Sequence, residues 1–192
     1  MSNIIPVIEP TMVLNEEICK SNIARMAQKA KAAGVTFRPH FKTHQSREIG
    51  EWFRASGVEK ITVSSLNMAM KFAEWGWNDI TVAFPVNCLE HEKINALASK
   101  IRLNLLLVHS EGARQLSECL KYPVGVYLGV DTGYHRDGVD ANNYEKIDRI
   151  INIVAPDVNI KFEGFLTHAG HTYHARSKEE IMQIHKDNLR ML

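Results

Sequence analysis

Lys42 stands between two histidines, His40 and His44, in the stretch RPHFKTHQ that runs from Arg38 to Gln45. On an inward strand position the amine would be shielded from water. Burial disfavours the ammonium and leaves a nucleophilic amine, fit to condense with a carbonyl compound as a Schiff base. At the start of a loop the same residue would be an ordinary solvated cation. Spacing alone weighs the two readings equally.

Two later stretches carry the other candidates. VDTGYHRDGV, residues 130–139, places Asp131, His135 and Arg136 after an apolar run, with glycines that let the backbone turn tightly. Arg136 could bind a phenolate or a carboxylate; the plainer reading pairs it with Asp137 or Asp140 at the surface. THAGHTYH, residues 167–174, packs His168, His171, His174 and Tyr173 together. Histidines three apart suit metal ligands on one helix face, but the segment reads as a strand end plus a loop. General acid or base chemistry is at least as strong a reading.

These residues need elements to position them. Apolar runs at 11–14, 35–44, 60–65, 79–85, 102–110, 124–133 and 160–170 are each followed by a helical pattern. The first helix is read from an Asn15 cap, with Glu16 and Glu17 in its first turn, to Gly34; the last carries Ile181, His185 and Leu189. Near-continuous apolar strands alternating with helices predict a parallel sheet buried on both faces. About seven such units suit a (β/α)₈ TIM-barrel-type domain that stops short of closure, spanning residues 1–192. An open doubly wound sheet is the rival, but no GxGxxG or GxxxxGK[ST] follows any strand. The last helical pattern has no glycine or proline stop, and a closed barrel needs a further strand. The expectation is the front part of a longer protein.

Barrel sites sit at the C-terminal ends of strands. Seven of the nine histidines fall there: His40, His44, His109, His135, His168, His171 and His174. Composition bounds the rest. Lysine plus arginine is 23 against 22 acidic residues, which argues against nucleic-acid or acidic-membrane partners. The N-terminal MSNIIPVIEPTM lacks the basic start and apolar core of a signal peptide, and no apolar run is long enough to span a bilayer. Cys19, Cys88 and Cys119 are scattered and read as reduced thiols of a cytoplasmic protein.

In this order, RPHFKTHQ, VDTGYHRDGV and GFLTHAGHTYH resemble the fold-type III pyridoxal-phosphate enzymes, the family of the alanine racemase N-terminal domain. Within it they are most similar to the D-threonine aldolase and D-serine dehydratase branch; Gln45 stands where that branch usually has a second lysine. The resemblance implies that Lys42 is the Schiff-base lysine and that Arg136 lies near the cofactor's phenolic oxygen. It implies that His171 and Tyr173 face the substrate and that His40 and His168 belong to the cofactor site. It also implies a small D-amino-acid substrate, a homodimer, a divalent metal (manganese, magnesium or zinc), and a phosphate-binding loop and C-terminal domain further along the chain. Retro-aldol cleavage of a β-hydroxy D-amino acid is the expected lyase reaction, with D-serine dehydration or racemisation as alternatives. A non-catalytic pyridoxal-phosphate protein, or an inactive truncated domain, is the alternative of another class.

Overall fold

Most helices begin where a side chain can accept an orphan amide. In the computed structural model, which describes residues 8–192, Asn15 caps α1 (Glu16–Ala32), Ser46 caps α2 (Arg47–Ala55) and Ser65 caps α3 (Leu66–Glu74). His109 caps α5 (Ser110–Cys119), Asn143 caps α6 (Tyr144–Val154) and Ser177 caps α7 (Lys178–Met191). Only α4 (His91–Ala98) has no side-chain cap among the described residues. Glu16 and Glu17 in the first turn of α1, and Lys29 and Lys31 in its last, suit the helix dipole. Of the stretch MSNIIPVIEPTM, residues 1–7 lie outside the described residues.

The described chain separates into two compact units. One holds the chain up to Phe37 with Ser46–Val58 and contains α1 and α2. There Lys20 lies over the Trp52 ring, 5.1 Å from its centroid, and Phe37 packs against Phe53. The other unit, Arg38–Gln45 with Glu59–Leu192, holds the sheet.

The sheet is parallel throughout. β1 (Ile61–Val63), β2 (Asp79–Pro85), β3 (Arg102–Leu107) and β4 (Val124–Asp131) pair in chain order. β4 then pairs with β6 (Ile160–Leu166), and the two-residue β5 (Val139–Asp140) pairs with the end of β4. Sequential parallel neighbours without a reversal of order are the pattern of a βα barrel and not of a doubly wound sheet. Among the described residues the barrel is not closed. Ile61, Val63, Ile80, Val82, Leu103, Leu105, Leu107, Val126 and Leu128 are buried, with Ala69, Phe72, Ile94, Ala113, Leu116 and Ile150 of the helices. A polar row runs across this sheet: His40, Thr62, Thr81 and Asn104 are successive partners in register.

The sequence-based strands need three corrections. Residues 11–14 form no strand, and Met12, Val13 and Leu14 are exposed. The run 35–44 makes only one bridge, His40 with Thr62, because Pro39 has no amide to extend the ladder and the chain turns directly into a 3₁₀ turn at Phe41–Thr43. The brief β5 is carried by no periodic signal. In α7 the expected apolar face, Ile181 and Leu189, is exposed, and Asn188 is the buried residue.

The 3₁₀ turn is anchored by Phe41, which has 0% exposure. Its ring packs 4.5 Å from that of His44 and 5.1 Å from those of Phe72 and Trp77. Phe41→Ala should therefore destabilise the protein by about 3–5 kcal/mol, read as a lowered urea midpoint at unchanged slope; a change under about 1 kcal/mol would contradict the anchoring role.

Candidate active site

A cavity of about 720 Å³ opens at the C-terminal ends of the strands, in the size range of small-molecule sites. Its wall carries Lys42, His40 and Arg38 from the segment beside β1, and Arg136 and Asp137 from the loop after β4. His168 and Thr167 follow β6, and Ala83, Leu106 and Leu166 supply apolar surface. The local pattern explains the first three. The extended run through His40 shows Arg38 and His40 to the cavity and hides Pro39, and the 3₁₀ turn that follows buries Phe41 and leaves Lys42 at the wall.

Lys42 is exposed at the cavity wall, one residue into the 3₁₀ turn, and not on an inward strand position. Its amide donates to His40 Nδ1 at 3.3 Å. That bond requires an unprotonated Nδ1, in keeping with the depressed basicity of the ring. Burial first, then Lys42 and His168, push His40 from its ordinary 6.5 down to about 4. Burial also lowers His168, helped by Arg136 and Lys42. Burial thus favours uncharged imidazoles at His40 and His168, beside Arg38, Lys42 and Arg136, with Asp137 the single carboxylate among the lining residues.

Arg136 is brought in by a tight loop. Asp131 Oδ1 accepts the amides of Gly133 and His135, and its Oδ2 faces His135 Nδ1 at 2.8 Å. Burial alone would raise the Asp131 carboxyl; the bonds from His135 and Gly133 outweigh it and hold the group below its ordinary value. Gly133 and Gly138 adopt φ of 120° and 102°, as the sequence reading of this turn requires. Arg136 Nε pairs with Asp137 at 2.9 Å, so the expected ion pair exists, but within the cavity wall.

After β6 the chain makes a further 3₁₀ turn, Gly170–His174. Tyr134 packs edge-on to His168, with ring centroids 5.3 Å apart, and Gly170 leaves room for it: a Cβ there would lie 2.5 Å from the tyrosine ring. Tyr173 is largely exposed, its hydroxyl 3.5 Å from His168 Nε2. His171 Nδ1 is buried and has no partner among the described residues. The cavity therefore gathers Lys42, His40, Arg136 and His168, whereas His171 and Tyr173 occupy the adjoining turn and are not among its lining residues.

The remaining strand-end histidines have other contacts. His44 packs on Phe41 and His109 accepts the Gly112 amide at 2.8 Å as a helix cap. His174 is exposed, and among the described residues no three histidine, cysteine or acidic side chains cluster to hold a metal. Arg38 is the site residue that sequence reasoning passed over; its place two residues before His40 in an extended run was the available signal.

An arc of parallel βα units with polar groups converging at the strand ends defines a barrel-type α/β domain. The chain belongs to the alanine racemase N-terminal domain family, whose model matches residues 15–189. It is 34% identical over 181 residues to the D-threo-3-hydroxyaspartate dehydratase of Delftia sp. (strain HT23), covering 91% of this chain and 47% of that one. It is 28% identical over 190 residues to the D-serine dehydratase of Dictyostelium discoideum, covering 91% and 48%. The crystal structure of D-threonine aldolase from Filomicrobium marinum superposes with a TM-score of 0.87 at 22% identity, over 93% of this chain and 49% of that one, a likeness of fold. The chain spans about half the length of the curated relatives it matches. No helix among the described residues is long and apolar enough to cross a membrane.

The two depressed histidines set an acid limit. A group with a lower folded than unfolded pKa makes the unfolded state bind more protons, so stability falls as pH drops. For His40 that loss runs from about 6.5 down to about 4. His40→Gln should flatten the decline of the urea midpoint between pH 7 and pH 4.5 relative to the parent; an unchanged decline would contradict the assignment.

Proposed function

We propose that the chain is the cofactor-holding part of a pyridoxal-phosphate lyase acting on a 3-hydroxy D-amino acid, with Lys42 as the Schiff-base lysine. The observation that carries this reading is the convergence of Lys42, neutral His40 and His168, and Arg136 on one cavity of about 720 Å³. The cavity is roomy enough for a pyridine ring with an amino acid, offers one primary amine to an aldehyde, and presents cations to anionic groups. Bound there, pyridoxal phosphate supplies an electron sink for the electrons released at the substrate's Cα.

The chain's own residues then have separable tasks. Lys42 Nζ is the group that would hold the cofactor's aldehyde and, as a free amine, would take the Cα proton of a bound substrate. Arg136 binds an anionic oxygen, phenolate or carboxylate. Uncharged His40 and His168 keep the surroundings of the lysine from gathering further positive charge. His171, whose buried Nδ1 has no partner among the described residues, is the proton-transfer group at the β-hydroxyl, with Tyr173 beside it on the same turn.

Elimination is the favoured reaction, because the relatives of 34% and 28% identity are both named dehydratases. The Cα–H and Cβ–O bonds break, Lys42 takes the Cα proton and His171 gives one to the departing hydroxyl, which leaves as water; the released enamine tautomerises to an imine, and its hydrolysis gives a 2-keto acid and ammonia. Retro-aldol cleavage is the second reading, supported by the relatives of 25% identity named aldolases. There His171 takes the hydroxyl proton, Cα–Cβ breaks to release an aldehyde, and a proton delivered to Cα by Lys42 completes glycine. The whole protein is proposed to be a cytoplasmic homodimer. A divalent metal belongs to its proposal too, but no described cluster would hold one, and no step is assigned to it.

Pyridoxal phosphate should give a visible absorbance band, and borohydride should fix the label on the peptide containing Lys42; Lys42→Ala should give neither. Labelling elsewhere, or none, would sink the cofactor reading. Pyruvate from D-serine supports elimination, and glycine from D-threonine supports the aldol reading. In the whole protein, His171→Ala should keep the band and lose turnover by roughly 10²-fold or more; full turnover in that variant would remove His171 from the mechanism.

A further inference from the structure

The segment that carries Lys42 is tied to the sheet by little backbone. His40 makes a single bridge with Thr62, and the Thr62 amide donates to the Pro39 carbonyl at 2.8 Å. Beyond those contacts, side chains must do the holding. Phe41 does so on the buried side. On the cavity side stands Arg38, two residues before His40 in the extended run and four before Lys42, which lies in the turn that follows.

Arg38 Nη1 donates to Asp79 Oδ1 at 2.7 Å and to the Ile61 carbonyl at 3.3 Å. Both side chains are largely buried, at 18% and 14% exposure. Asp79 is itself fixed: Asn104 Nδ2 donates to it at 3.1 Å, and Arg102 lies 3.7 Å away while also binding Glu163 at 2.9 Å. Arg38 thus clamps its segment to β1 through a carbonyl and to β2 through a carboxylate that β3 holds in place. A guanidinium reaches two acceptors in a fixed plane, which a lysine ammonium does not reproduce.

We infer that Arg38, clamped between Asp79 and the Ile61 carbonyl, is the positioning residue that aims Lys42 into the cavity. It acts through the backbone of residues 38–42. The inference rests on the reading of Lys42 as the Schiff-base lysine, but its first test does not need the cofactor.

Hydrogen exchange read by mass spectrometry on the protein without added cofactor should show Arg38→Lys and Arg38→Met speeding exchange at residues 40–43 by about tenfold or more, while peptides from β3 and β4 stay unchanged. Both variants should keep a cooperative melt. Borohydride fixation of pyridoxal phosphate on Lys42 should fall by about tenfold in Arg38→Lys at equal protein. Unchanged exchange and unchanged labelling in folded variants would overturn the inference. So would loss of the cooperative melt in both variants, since Arg38 would then support the whole sheet and not the Lys42 segment. Absence of label on Lys42 in the parent protein, with the exchange effect intact, would instead count against the cofactor reading alone.

Discussion

A fully buried phenylalanine holds an exposed lysine at the edge of a cavity, and the site depends on that pairing of neighbours. The Lys42 side chain has four flexible carbons and, among the described residues, no hydrogen-bond or ion-pair partner to steer it. It is placed by its backbone. Phe41 supplies the anchor, because removing its ring from the cluster of His44, Phe72 and Trp77 would open a void in a close-packed region. Arg38 supplies the second fixed point on the opposite face of the same short run. Alternation of polar and apolar residues over Arg38–Lys42 makes both possible at once.

Electrostatics then shapes what the cavity accepts. Arg38, Lys42 and Arg136 stand on one wall, where Asp79 pairs with Arg38 and Asp137 with Arg136. Two more imidazolium charges would be costly there, and burial together with the neighbouring cations keeps His40 and His168 neutral. Two paired guanidiniums, a lysine amine and uncharged imidazoles together suit a ligand with anionic groups whose protons are to be moved. The same logic ties function to acid sensitivity, since the histidines that stay neutral in the fold are those that acid will charge.

The fold class was legible because it rests on repetition. Strands β2, β3, β4 and β6 lie on apolar runs that no other element explains, and capping residues such as Asn15 and Ser65 mark where helices start. The run at 11–14 misled because four apolar-rich residues carry no information about whether a neighbour exists to pair with them. The site was legible in part. Motif spacing singled out Lys42, His40, Arg136 and His168, which share the cavity, and His171 and Tyr173, which sit on the next turn. Histidine density alone could not sort roles: His109 caps a helix and His44 packs on an aromatic cluster, tasks that need coordinates to see. Arg38 escaped notice because its partner Asp79 lies 41 residues away in sequence.

The most direct test of this account is an experimental structure of the whole protein with pyridoxal phosphate bound. The account predicts continuous density from Lys42 Nζ to the cofactor, with Arg136 beside an anionic oxygen of the bound group and Phe41 still buried beneath the turn. A cofactor joined to another lysine, or one bound away from the cavity lined by His40 and His168, would contradict it.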